Sequence, residues 1–144
     1  METDVPERHR ALNGFNQHVG MELVHLSADE VTVRLPITPD LLQVHGIVHG
    51  GVWCSLVETA ASIGAGLWLE AQGGGDTVGV SNTTDFLRAL REGIVTATAT
   101  PVHRGRLQQL WDVEVRDESD RPIARGRVRL QNLEGAAVLG RPAS

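Results

Sequence analysis

Leu41–Ala65 reads LLQVHGIVHGGVWCSLVETAASIGA, a long and mostly apolar run. From Val52 onward, Trp53, Leu56, Val57, Ala60, Ile63 and Leu67 recur at helical spacing. His49, Gly50 and Gly51 close an irregular approach, so the helix is entered through a glycine hinge. One charge interrupts the apolar run. Glu58 has Ser55 three residues before it and Ser62 four after it, which puts all three on one helical stripe. A carboxylate alone in such surroundings needs a reason. The helix is too apolar all round for a surface, which predicts that a sheet wraps it.

The segments on either side supply that sheet. Gly20–Leu26 reads as a strand, and after the polar break at Ser27–Glu30 the run Val31–Leu35 alternates strictly, suggesting a first hairpin. Pro36 and Pro39 stop the pairing, and the connection to Gly50 carries Gln43 and His45 just ahead of the helix. Beyond the breaker Gly73-Gly74-Gly75-Asp76, four strands follow, near 77–87, 93–103, 107–116 and 122–133. Val95, Ala97 and Ala99 share one face of the second of these, and Trp111, Val113 and Val115 one face of the third. In the last, Ala124, Gly126, Val128 and Leu130 alternate with Arg125, Arg127 and Arg129, read as a solvated outer row with cross-strand partners. The Asp117–Asp120 turn makes the final two strands a hairpin. A short helix over Pro6–Phe15 and a frayed, aperiodic tail over Glu134–Ser144 complete the reading. The order is α-β-β-α-β-β-β-β, an α+β chain of one domain spanning residues 1–144.

A chain of 144 residues buries roughly two-thirds of its unfolded surface, enough for a core of its own. All 13 basic residues are Arg and the net charge is −5, which argues against general affinity for nucleic acid or anionic membranes. Cys54 is the only cysteine, so no intrachain disulfide forms, as suits a reducing compartment. The charged start METDVPERHR does not resemble a secretory signal, and Glu58 and Glu70 divide the longest apolar run, so the expectation is a soluble cytoplasmic protein.

Several chemistries can be weighed on the residues. Unpaired N–H groups at a helix N-terminus carry partial positive charge, and glycines there let a ligand approach the backbone closely. His45 and His49 have the spacing of a helical metal pair, but Gly46 and Gly50 argue against a helix there and no third ligand is evident. Cys54 lies off the Glu58 stripe without a basic partner and reads as a packed thiol. No G-x-S-x-G elbow or P-loop occurs. Glu58 itself reads either as a catalytic carboxylate or as a structural one held by Asn82 or a backbone amide.

The spacing of Val48-His49-Gly50-Gly51, Cys54, Leu56 and Glu58, followed by Val78–Asn82, Phe86, Arg88, Glu92-Gly93 and Trp111-Asp112-Val113, resembles the hotdog-fold acyl-CoA thioesterases. The nearest subgroup is the PaaI-like one, including 4-hydroxybenzoyl-CoA thioesterases with a catalytic glutamate. The likeness runs from about Leu35 to Leu133 and implies an antiparallel sheet wrapped around one long central helix. It implies Glu58 as nucleophile or general base and the Gly50 N–H at the thioester carbonyl. It also implies Gln43 as a second contact to that carbonyl, with His49 and Ser62 supporting the site and orienting water. Ser62 stands where the subgroup has threonine, Arg106-Leu107 where it has a Ser-Thr pair facing the CoA nucleotide, and Ala89 where it has proline.

On that resemblance the substrate is an aromatic or medium-chain acyl-CoA. Coenzyme A enters as part of the substrate, and no cofactor or metal is called for. Gly51 is an expected substrate contact, and Arg88, Arg91, Arg104 and Arg106 are candidates for the CoA phosphates. The acyl chain would lie against Trp53 and Trp68. Asn82 and Thr83 are implied to approach the helix of a partner chain, a homodimer being the minimum unit and a homotetramer the expected assembly. Two readings from other classes stand beside it: a non-catalytic acyl-CoA or lipid-binding module, and an enoyl-thioester hydratase.

Overall fold

The computed structural model describes residues 12–133. Within them a short helix α1 (Phe15–Val19) precedes β1 (Glu22–Leu26) and β2 (Val31–Pro36), and a 3-10 turn at Pro39–Leu41 leads towards the long helix α2 (Gly50–Ala71). Four strands follow: β3 (Asp76–Phe86), β4 (Ile94–Arg104), β5 (Gln108–Asp117) and β6 (Pro122–Leu133). The expected order therefore holds, with strand limits shifted by a residue or two. The amino-terminal helix is displaced: Leu12 to Gly14 are not helical, and α1 begins at Phe15, where the expected helix ended. Gly20, with φ of 99°, closes it by donating to the carbonyls of Asn16 and Gln17. The rest of that expected helix, and the tail Glu134–Ser144, lie outside the described residues.

All neighbouring strands are antiparallel, in the order β1-β2-β4-β5-β6-β3. The alternation read in the sequence sets which face is concave. Val31, Val33, Leu35, Val95, Ala97, Ala99, Trp111, Val113 and Val115 are wholly buried, and they meet Trp53, Leu56, Val57, Ala60, Ala61 and Ala65 of α2 in one core. Each Val or Leu so buried contributes about 1.5–3 kcal/mol. By length and composition α2 is apolar enough to cross a bilayer, contrary to the expectation that Glu58 and Glu70 divide it too finely. Its apolarity is explained by the sheet that encloses it.

Three side-chain tethers fix α2 along its length. The Thr59 hydroxyl donates to Asn16 Oδ1 (3.0 Å), Asn82 Nδ2 donates to the Cys54 carbonyl (3.1 Å), and Gln109 Nε2 donates to the Ala65 carbonyl (3.2 Å). Gln109, fully buried, also accepts from Trp111 Nε1 (2.9 Å) and donates to Asn132 Oδ1 (3.0 Å), so each of its polar atoms is used.

Candidate active site

The entrance to α2 is assembled by its own loop. Gln43 and Ile47 close a tight turn, Gln43 N–H donating to the Ile47 carbonyl (2.8 Å) and Gly46 N–H to that of Gln43 (2.9 Å). Gly46 takes φ of 76°, a left-handed conformation that favours glycine. Arg91 donates to the carbonyls of His45 (3.1 Å) and Gly46 (3.0 Å), holding the turn. The Gln43 carboxamide oxygen accepts from His45 N–H, which leaves its NH2 group to donate elsewhere.

His49 caps the helix: its Nδ1 accepts from Gly51 N–H (2.8 Å) and its carbonyl from Val52 N–H (2.9 Å). The Gly50 N–H, at the first helical position, has no acceptor among the described residues. The two expected backbone contacts thus separate. Gly50 keeps a free donor on the positive end of α2, while Gly51 spends its own on His49. A Cβ on Gly50 would lie 2.4 Å from Cε2 of Phe86, so the Phe86 ring packs directly against this glycine. Phe86 is 55% exposed, and nothing local in the sequence marks a strand-end aromatic as lying over a residue 36 positions earlier.

Two turns into the helix, Glu58 is half-buried against the edge strand. A Cβ on Gly79 would come 2.5 Å from Glu58 Oε1, so only glycine lets β3 close over the carboxylate. Oε2 is buried with no hydrogen-bond partner among the described residues. Burial raises the Glu58 pKa above the ordinary carboxylate range, and Ser62, one turn on, acts in the opposite sense through a hydrogen bond. Asn82 is not the clasp of this carboxylate: its amide engages Cys54 and Thr84. Thr83 points to the outer sheet face, where it lines a cavity with Ser81, Asp85, Asp112 and Arg127.

The arginines fall in two groups. Arg88, exposed, and Arg91 lie beside the α2 entrance, which is joined to their segment by Val48 N–H donating to the Leu90 carbonyl (2.8 Å). Arg104 and Arg106 border a cavity of about 760 Å³ at the far end of the helix with Trp68, Gln72 and Gly73–Gly75. Arg104 stacks on Trp68 at 5.6 Å while bonding Asp29 (2.8 Å) and the Ala28 carbonyl (2.8 Å). Trp53 is 2% exposed and belongs to the core.

A free helix-terminal donor and a desolvated carboxylate thus lie on one helix, which the antiparallel sheet encloses. The thioesterase superfamily model matches residues 45–124. A Mycobacterium tuberculosis protein with a provisional esterase designation is 50% identical over 121 residues, covering 83% of this chain and 86% of that one. Its solved structure superposes with a TM-score of 0.82 at 48% identity, over 89% of this chain and 98% of that one. The 1,4-dihydroxy-2-naphthoyl-CoA hydrolase of Listeria monocytogenes is 33% identical over 79% of this chain and 91% of its own. A Haemophilus influenzae thioesterase structure gives a TM-score of 0.80 at 31% identity, over 90% of this chain and 88% of that chain. The chain belongs to the thioesterase superfamily and is a hotdog-fold thioester hydrolase.

Proposed function

We propose that the chain hydrolyses the thioester of an aromatic or medium-chain acyl-CoA in the cytoplasm, with Glu58 as the catalytic carboxylate. The observation that carries this reading is the state of Glu58. A structural carboxylate is kept for its partners, whereas Glu58 Oε2 is buried without one, and the side chain that could have held it is engaged elsewhere. The thioester carbonyl oxygen would take the free Gly50 N–H and the unspent amide of Gln43, and charge building on that oxygen would meet the positive end of α2. Glu58 would then either add to the carbonyl carbon, expelling the CoA thiolate and leaving an anhydride for water to open, or take a proton from the attacking water. His49 fixes the glycine hinge through Gly51, and Ser62 favours the ionised form of Glu58.

The CoA portion of the substrate is supported by the name of the Listeria relative and by the arginines near both ends of α2. The proposed assembly is a homodimer as the minimum unit, paired further into a tetramer, and the pairing of two copies is supported by β3. Among the described residues this strand of 11 residues pairs with β6 alone, and it carries Val80 at 55% exposure.

Thiol release from benzoyl-, phenylacetyl-, naphthoyl- and straight-chain CoA esters tests the reading. Glu58→Gln, equal in shape, should release thiol about a thousandfold more slowly than wild type while folding normally. Full activity in that variant would sink the role of Glu58. Tight acyl-CoA binding by the wild type without thiol release would favour a binding module, and loss of enoyl-CoA absorbance a hydratase.

A further inference from the structure

The irregularity in β3 brings together two residues that a regular strand would separate. In an unbroken strand, residues three apart face opposite sides of the sheet. The register of β3 on β6 shifts between Gly79 and Ser81, leaving Val80 as the extra residue. Gly79 and Asn82 therefore both face α2: Gly79 lies against the Glu58 carboxylate, and Asn82 donates to the Cys54 carbonyl at 3.1 Å. In an α-helix that carbonyl also accepts the N–H of the residue four positions on, which here is Glu58. One carbonyl is thus shared by the helical turn that carries the carboxylate and by the edge strand that covers it.

Asn82 is itself held. Its Oδ1 accepts the Thr84 hydroxyl at 2.7 Å, which fixes the amide with its NH2 group towards the helix. Thr84 sits on the same inner face, and Gly126 of β6 keeps room for it. A Cβ at Gly126 would lie 2.7 Å from Thr84 Oγ1 and 2.6 Å from Cγ1 of Val57. Val57, wholly buried, directly precedes Glu58.

We propose that Thr84 and Asn82 form a relay of positioning residues that sets the helical turn of Glu58 against the edge strand, so that the carboxylate meets the scissile carbonyl at the right distance. The proposal rests on the thioesterase reading of Glu58. Neither residue touches the reacting atoms; both act through the Cys54 carbonyl. Misplacement of a reacting group by about 1 Å can cost on the order of a hundredfold in rate, so a partial loosening of one turn should cost about tenfold.

The test uses the whole chain and three variants. Asn82→Leu and Thr84→Val each remove the relay with little change of shape, and both should lower kcat about tenfold with KM within about twofold of wild type. The double variant should be no slower than either single one, because both changes cut the same chain. Thr84→Ser restores the hydroxyl and should recover most of kcat. Hydrogen exchange at the Glu58 and Thr59 amides should be faster in Asn82→Leu and Thr84→Val than in wild type or Thr84→Ser. Asn82 is exposed, so Asn82→Leu decides the matter alone should Thr84→Val fail to fold. Wild-type kcat in Asn82→Leu, losses that multiply in the double variant, or a Thr84→Ser as slow as Thr84→Val would each overturn the relay. Wild-type protein inactive on every acyl-CoA would instead defeat the thioesterase reading, and the exchange rates would still report whether the relay holds the turn.

Discussion

At Glu58, burial and catalysis pull in opposite directions. Taking a carboxylate out of water favours its protonated form, yet either catalytic route needs it ionised. Among the described residues, Ser62 works against this burial, lowering the pKa that desolvation raises. With Glu58 active as the carboxylate, thiol release should fall as pH drops through its raised pKa. Removing the hydroxyl takes away the stabilisation of the charged form, so Ser62→Ala should raise the pKa further. The acid limb of its kcat/KM profile should then lie at higher pH than in wild type, with rates converging on the alkaline side, where both proteins are ionised. A limb that stays in place, or moves to lower pH, would show that Ser62 does not bear on the charge of Glu58. The same sign governs stability: the folded chain holds a proton that the unfolded chain releases first, so Glu58 makes folding less favourable as pH rises through that window.

At the scale of elements, the contact between α2 and β5 is fixed by a residue with no side chain. A Cβ on Gly64 would lie 2.6 Å from Cζ3 of Trp111. The indole cannot turn aside, because its Nε1 is bonded to Gln109, which is tied in turn to Ala65 and Asn132. Gly64→Ala should therefore destabilise the fold by about 1–3 kcal/mol through overpacking, outweighing the gain of about 1 kcal/mol expected from alanine's helix propensity. The midpoint of urea unfolding measures it, and an unchanged or higher midpoint would show that the sheet can yield. The strands themselves were legible because one face of each alternates into the core, and the helix because its apolar spacing runs unbroken from Trp53. Glu58 stood out as the one charge in that run. What local pattern could not carry is pairing between distant segments: that β3 lies beyond β6 at the sheet edge, that its bulge turns Gly79 and Asn82 to one face, and that Phe86 reaches Gly50. A mid-strand amide announces no partner, so the bond of Asn82 to the Cys54 carbonyl was not legible either. Nor does any local pattern announce that Arg91, a candidate for a CoA phosphate, donates to the His45 and Gly46 carbonyls of the Gln43 turn.

For the molecule as a whole, the two ends of the sheet are treated differently. β1 has five residues, its register is broken between Leu23 and His25, and Glu22 is paired with Arg34, features that blunt an edge against unwanted pairing. β3 is twice as long, carries no lysine or proline, and exposes Val80 beside the covering of Glu58. Its length and its place at the site are what the proposed dimer rests on, a second copy adding its own edge to this one. The outer face beyond it is mixed in charge, with Arg127 bonded to Asp112 across β5 and β6 and Arg129 to Gln108. A lysine on the edge should oppose pairing while leaving the core untouched, so Val80→Lys should raise the dimer dissociation constant about tenfold or more. Sedimentation velocity across a dilution series measures this directly. Thermal unfolding supplies a second reading, since the midpoint of an associating wild type rises with protein concentration and that of a monomeric variant does not. Activity in Val80→Lys should fall together with the dimer fraction if the second copy completes the site beside Glu58. A wild type that sediments as a monomer at every concentration, or a Val80→Lys that associates as tightly as wild type, would remove β3 as the interface.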